Sequence, residues 1–99
     1  MAAGDAIGTV YSVAGKTYQN YQPAAGVEIC ITNFAYQDAA NSYIYLYDGA
    51  NEAAILKPTS TVSNNASPVK VIISNSVYIR FYNDAVGAKT LGFSGIQLK

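Results

Sequence analysis

The sequence predicts an all-β fold: a single small antiparallel β-sandwich or barrel of 7–8 short strands, with jelly-roll or Greek-key-like connections. Three observations predict it. Apolar residues recur with a period of two along the strongest segments. Runs rich in Val, Ile, Tyr and Phe alternate with Gly, Pro, Asn and Asp at a spacing of roughly 8 to 12 residues, the rhythm of short strands and turns. No segment carries an apolar stripe long enough to hold an amphipathic helix.

The elements follow in order. Residues 1–6 are small and read as a flexible N-terminal arm able to order on docking, with one β domain over 7–99. Weaker strands are expected at 8–13 and 16–21, each bounded by Gly, Pro or Asn. Pro23 and Gly26 then break the chain before a strand over 27–33, where Val27, Ile29 and Ile31 share one side. Cys30 sits between two isoleucines and reads as a buried structural thiol; one cysteine forms no internal disulfide. Over 42–48, Tyr43, Tyr45 and Tyr47 take one face while Ile44 and Leu46 take the other. Asp48, Gly49 and Asn51 supply turn chemistry after it.

A weaker strand is expected at 53–56, and short helical turns fit 38–41 and 49–54. The polar stretch 57–68 reads as a long loop. Strands at 69–73 and 77–82 flank Ser74, Asn75 and Ser76 and are expected to pair as a hairpin. A three-residue connection sets Ile73 against Val77, Val71 against Ile79 and Val69 against Phe81, leaving Tyr78, Arg80 and Tyr82 on the opposite face with Lys70. A last weaker strand spans 90–98.

Composition narrows function. Six basic and six acidic side chains give zero formal net charge, charged residues make up only 12 %, and nine residues are tyrosine. Neutrality removes the self-repulsion that keeps small domains apart, which favours association. Nucleic acid is not expected as a partner, because a phosphate backbone calls for clustered Lys and Arg. The chain has no histidine, so proton transfer near neutral pH would need a strongly shifted carboxylate, lysine or cysteine. Asp5, Glu28, Asp38, Asp48, Glu52 and Asp84 are dispersed without a paired spacing, and residues 48–52 lack a calcium ligand ladder. The expectation is a non-enzymatic protein with no cofactor and no metal. The opening lacks the basic start and apolar run of a secretory signal, and no run is long enough to span a bilayer, so no membrane partner is expected.

The candidate contact residues are Tyr43, Tyr45 and Tyr47 on one strand and Tyr78, Arg80 and Tyr82 on another. Tyrosine offers a large contact area with a polar tip, and arginine flanked by aromatic rings makes an interface anchor. Three readings of the tyrosine stripe stay open: cover for the fold itself, a protein interface, or a sugar platform.

Several segments resemble small proteins encoded by tailed bacteriophages, of the head decoration (cement) type. They are Met1-Ala-Ala-Gly-Asp5, Gln22-Pro23-Ala-Ala-Gly26-Val27-Glu28, Tyr45-Leu-Tyr47-Asp48-Gly49, Tyr78-Ile-Arg80 with Asn83, and Gly92-Phe-Ser-Gly95-Ile-Gln97. The family pattern has Tyr and an acidic residue in the final turn, where Phe93 and Ser94 stand here, and no site residue is carried over. The resemblance implies a virion structural protein, made in the host cytoplasm and located on the capsid surface. Its implied partners are the major capsid protein and copies of itself, a trimer among the options. The alternative is a carbohydrate or receptor-binding β-sandwich module of a phage tail or fibre.

Overall fold

The computed structural model describes residues 3–38, 41–56 and 63–99, with backbone alone at 38 and over 63–68. The described residues form eight strands: β1 (Ala6–Val13), β2 (Thr17–Tyr21), β3 (Ile29–Asp38), β4 (Ser42–Tyr47), β5 (Glu52–Leu56), β6 (Ser63–Ile73), β7 (Tyr78–Asn83) and β8 (Lys89–Gln97). They form two four-stranded sheets, β1-β8-β3-β6 and β2-β7-β4-β5. Every ladder is antiparallel. The partners β1 with β8, β2 with β7, β3 with β6 and β4 with β5 are those of one long hairpin rolled upon itself. Seams between β3 and β8 and between β4 and β7 hold the roll together. That is the jelly-roll form of the expected fold, an open sandwich of two packed sheets.

Alternation builds the core. From the first sheet, Val13, Ile29, Ile31, Phe34, Ile73, Leu91 and Phe93 point inward; from the second, Ile44, Ile79 and Phe81 meet them. Ring contacts join the layers: Phe34 meets Phe81 edge-on at 6.3 Å, and Tyr21 lies 4.7 Å from Phe93. Each fully buried Ile or Phe contributes about 1.5–3 kcal/mol of transfer free energy, so these few side chains carry much of the stability.

Of the buried polar residues Ser42, Asn83 and Gln97, one is sealed in completely. Asn83, at the end of β7, is fully buried. Its amide nitrogen donates to the carbonyls of Val13 and Gly87, both at 2.9 Å, and its side-chain oxygen accepts from the Ala85 N–H at 2.9 Å. One side chain thereby ties the end of β1 to the 84–88 turn. At the other end, Asp48 Oδ1 accepts from the N–H groups of Ala50 and Asn51 at 2.9 and 2.7 Å. Gly49, at φ 96°, supplies the left-handed residue that the β4–β5 turn requires.

Several sequence expectations need correction. The 69–73 and 77–82 segments do not pair: β6 lies beside β3 in the first sheet, with Ile73 opposite Ile29, and β7 lies in the second sheet between β2 and β4. Turning Val71 and Ile73 toward Ile79 and Phe81 satisfies the same alternation whether the strands are neighbours or face each other across a core. Apolar pattern alone does not separate the two. Lys70 consequently sits on a different sheet from Arg80.

The expected loop over 57–68 is shorter, because β6 begins at Ser63; residues 57–62 lie outside the described residues. Pro68 is accommodated because β6 is an edge strand and the β3–β6 register shifts beside it. The β3 strand runs five residues past the expected end at 33, to Asp38. A bulge between Ile31 and Asn33 changes its phase, so Phe34 and Tyr36 face inward after Ile29 and Ile31. The N-terminal segment is strand-paired earlier than expected: the Gly4 N–H donates to the Gln97 carbonyl at 2.7 Å, and the Gln97 N–H donates to Asp5 at 3.0 Å. Cys30 is partly buried on the outer face and not in the core, because Ile29 and Ile31 on either side both turn inward. Residues 49–54 form a hairpin turn and the start of β5, not a helical turn; the other helical expectation includes 39–40, outside the described residues.

Candidate functional site

The two predicted aromatic stripes form a single surface. Antiparallel register places Tyr43 opposite Tyr82, Tyr45 opposite Arg80 and Tyr47 opposite Tyr78, and on the far side of β7 it sets Tyr18 against Tyr82 and Asn20 against Arg80. Their inward neighbours, Ile44, Ile79 and Phe81, are fully buried, which fixes the alternate residues on the outer face of the second sheet. All six candidate contact residues therefore lie together. Tyr78 is the least presented, at 9 % exposure, and supports Tyr47 edge-on at 5.6 Å.

Arg80 is the hub. Its guanidinium carbon lies 3.8 Å from the Tyr47 ring centroid and 4.5 Å from that of Tyr18. Its Nε donates to Asn20 Oδ1 at 3.1 Å, and an NH1 nitrogen meets Glu52 Oε2 at 3.5 Å. These contacts hold a flexible side chain in one orientation and neutralise its charge locally, with each cation–π contact worth about 0.5–2 kcal/mol.

Around the hub the rings cover one another. Tyr43 and Tyr45 are nearly parallel, 8° apart with centroids at 5.8 Å, and Tyr18 lies 4.5 Å from Tyr82. Tyr82 also reaches Tyr43 at 5.8 Å and donates its hydroxyl to Asp84 at 3.3 Å. Ring faces are thus largely engaged inside the cluster. Edges and hydroxyls are what the surface offers a partner.

Electrostatics keeps this face neutral. Burial pushes the Tyr45 hydroxyl above the usual phenol range, with the Glu52 carboxylate adding to the effect. The Tyr82 hydroxyl is raised by desolvation and then by Asp84. Both stay protonated donors at neutral pH. Beside them the Lys16 ammonium, 2.7 Å from Asp84, holds that carboxyl below its ordinary value, while Asp84 raises Lys16. The backbone N–H groups of Asn51 and then Ala50 lower Asp48 in the same way.

Depressed folded carboxylates stabilise the protein fully above the unfolded carboxyl range, and the contribution disappears as pH falls through the folded value. Thermal melting should therefore show a plateau above about pH 5 and a decline below about pH 4. The double variant Asp48→Asn/Asp84→Asn should flatten that acid limb; melts followed by circular dichroism test this, and an unchanged acid limb would count against the assignment.

Sequence reasoning missed Tyr18, Asn20 and Glu52. The alternation of Tyr18 and Asn20 against Gln19 and Tyr21 carried a signal for their shared face, but nothing in it specified β7 as the neighbour. Among the described residues, a shallow cleft of about 230 Å³ lies elsewhere, lined by Ile7, Tyr21, Pro23 and Val27, and one of about 240 Å³ borders the cluster itself, lined by Leu46, Tyr47, Asp48, Glu52 and Val77. Both are smaller than the roughly 300–1,000 Å³ usual for small-molecule sites. No known family model matches the chain, and no curated protein matches it.

Proposed function

We propose that this chain is a non-enzymatic virion structural protein, a capsid decoration protein that binds and stabilises the head lattice through the outer face of the second sheet. The observation that carries the reading is the arginine-centred tyrosine cluster. Tyr and Arg are the residue types that dominate interface hot spots, and here they are held in place before any partner arrives, which lowers the entropy cost of docking. The resemblance of short segments such as Tyr45-Leu-Tyr47-Asp48-Gly49 to bacteriophage decoration proteins is in line with the same reading. The jelly roll is compatible with it, but this architecture also serves lectins, so the fold does not choose between them. Against a sugar platform, Arg80 and neighbouring rings occupy much of the aromatic surface that a sugar would stack upon.

The test uses particles of the phage that encodes the chain. Mass spectrometry of purified virions should find the protein, and shells lacking it should bind the added wild type and gain resistance to heat. Arg80→Ala should weaken that binding by tenfold or more, in line with loss of a hot spot of about 1.4 kcal/mol or larger. Absence from virions, or binding indifferent to both Arg80→Ala and Tyr45→Ala, would sink the proposal. Glycan-array binding abolished by Tyr45→Ala would favour the tail-fibre alternative.

A further inference from the structure

The outer face of the first sheet has a different character. Reading across β1, β8, β3 and β6, one row is Ala6, Ile96, Cys30 and Ile72; another is Val10, Gly92 and Ala35, with Gly8 and Ser94 between them. Among the described side chains that these strands turn outward, Lys70 carries the only charge. Val10, Ile72 and Ile96 are 70 %, 56 % and 46 % exposed, so large apolar groups stand in water among small residues and the uncharged polar side chains of Ser12, Thr32, Gln37, Thr90 and Ser94.

We infer that two copies of the chain associate through this face, stacking sheet on sheet. Relief supports a twofold arrangement. Ile72 and Ile96 form a ridge, while Gly8, Gly92 and Ala35 form a low floor around Val10. A second copy related by a twofold axis that lies in the interface and runs across the strands, between the two rows, lays its ridge on that floor and receives the first copy's ridge in return, the self-complementarity that an isologous interface needs.

Charge supports the same occupant. A face whose described side chains carry one cation offers no charge pattern by which a different charged partner would be selected, whereas two copies with zero net charge approach without net repulsion. Lys70 can extend its ammonium to the rim. Area is sufficient: four strands about 4.8 Å apart and about eight residues long present roughly 500 Å². Two copies would bury about 1,000 Å², the lower end for a specific interface, which implies a reversible dimer. This pairing leaves the tyrosine face free and does not depend on the capsid reading.

Sedimentation velocity on the full chain, from roughly 1 μM to 1 mM, reads the association across the range expected for a small reversible interface. The wild type should pass from a 10.5 kDa monomer to a species of twice that mass. Val10→Lys and Ile72→Lys alter exposed side chains, and each should raise the dissociation constant at least tenfold with the melting transition retained. Arg80→Ala should leave the constant unchanged, which separates this face from the tyrosine face. A monomer at every concentration, a dimer unaffected by both lysine substitutions, or a dimer lost with Arg80→Ala would overturn the inference.

Discussion

Asn83→Asp should destabilise the protein by about 3 kcal/mol or more at pH 7, lowering the melting midpoint by roughly 12–24 °C for a domain of this size. The substitution preserves shape and removes the donor. The carbonyls of Val13 and Gly87, which now receive the amide nitrogen, would face a buried carboxylate oxygen; only the acceptor side, toward the Ala85 N–H, would survive. That group lowers its cost by binding a proton, so its folded pKa rises above the unfolded value. Stability lost at neutral pH should then partly return as pH falls toward 4, opposite in sign to the acid limb set by Asp48 and Asp84. Chemical denaturation at pH 7 and pH 4.5 reads both effects. A variant within 1 kcal/mol of the wild type at pH 7 would show that Asn83 is not the clasp its geometry describes.

Gly95→Ala should cost about 2–4 kcal/mol, an unusually large loss for the addition of one methyl group. Gly95 lies on β8, which is paired on both sides, opposite Ile7 of β1 and Ile31 of β3. A Cβ there would collide with the Cys30 carbonyl oxygen and come within 2.9 Å of Ile31 Cα. Both are backbone atoms, so no rotamer change relieves the clash, and the strands must separate beside the bulge. Gly87→Ala is the control: nothing lies within 4 Å of an added Cβ, and its effect should stay within about 0.5 kcal/mol. Equal urea midpoints for the two variants would contradict the close approach.

What the sequence made legible was the inside–outside choice along individual strands. Ile44 against Tyr43 and Tyr45, and Ile79 and Phe81 against Arg80, follow directly from period two. Pairing was less legible, since inward residues on opposed sheets satisfy the alternation that a hairpin would. The phase of β3 was hidden for a related reason: Val27, Ile29 and Ile31 have one parity and Phe34 and Tyr36 the other, so a bulged strand read as a strand followed by something else. The candidate site was half legible. Both aromatic stripes could be named from their own segments, but their merger around Arg80, and the addition of Tyr18, depended on β7 lying between β2 and β4. That order is set by long-range packing, with no local residue specifying it.

The rolled topology has a consequence for how the chain acquires its shape. Of the six ladders among the described residues, only β4–β5 joins strands consecutive in sequence. Of these eight strands β1 is made before the others, and it must wait for β8 before it is paired. Such distant pairings close large loops before they gain stabilising contacts, which places folding in the millisecond-to-second range of all-β domains. The β4–β5 turn, fastened by Asp48, is the local starting point from which the roll can zip toward its ends.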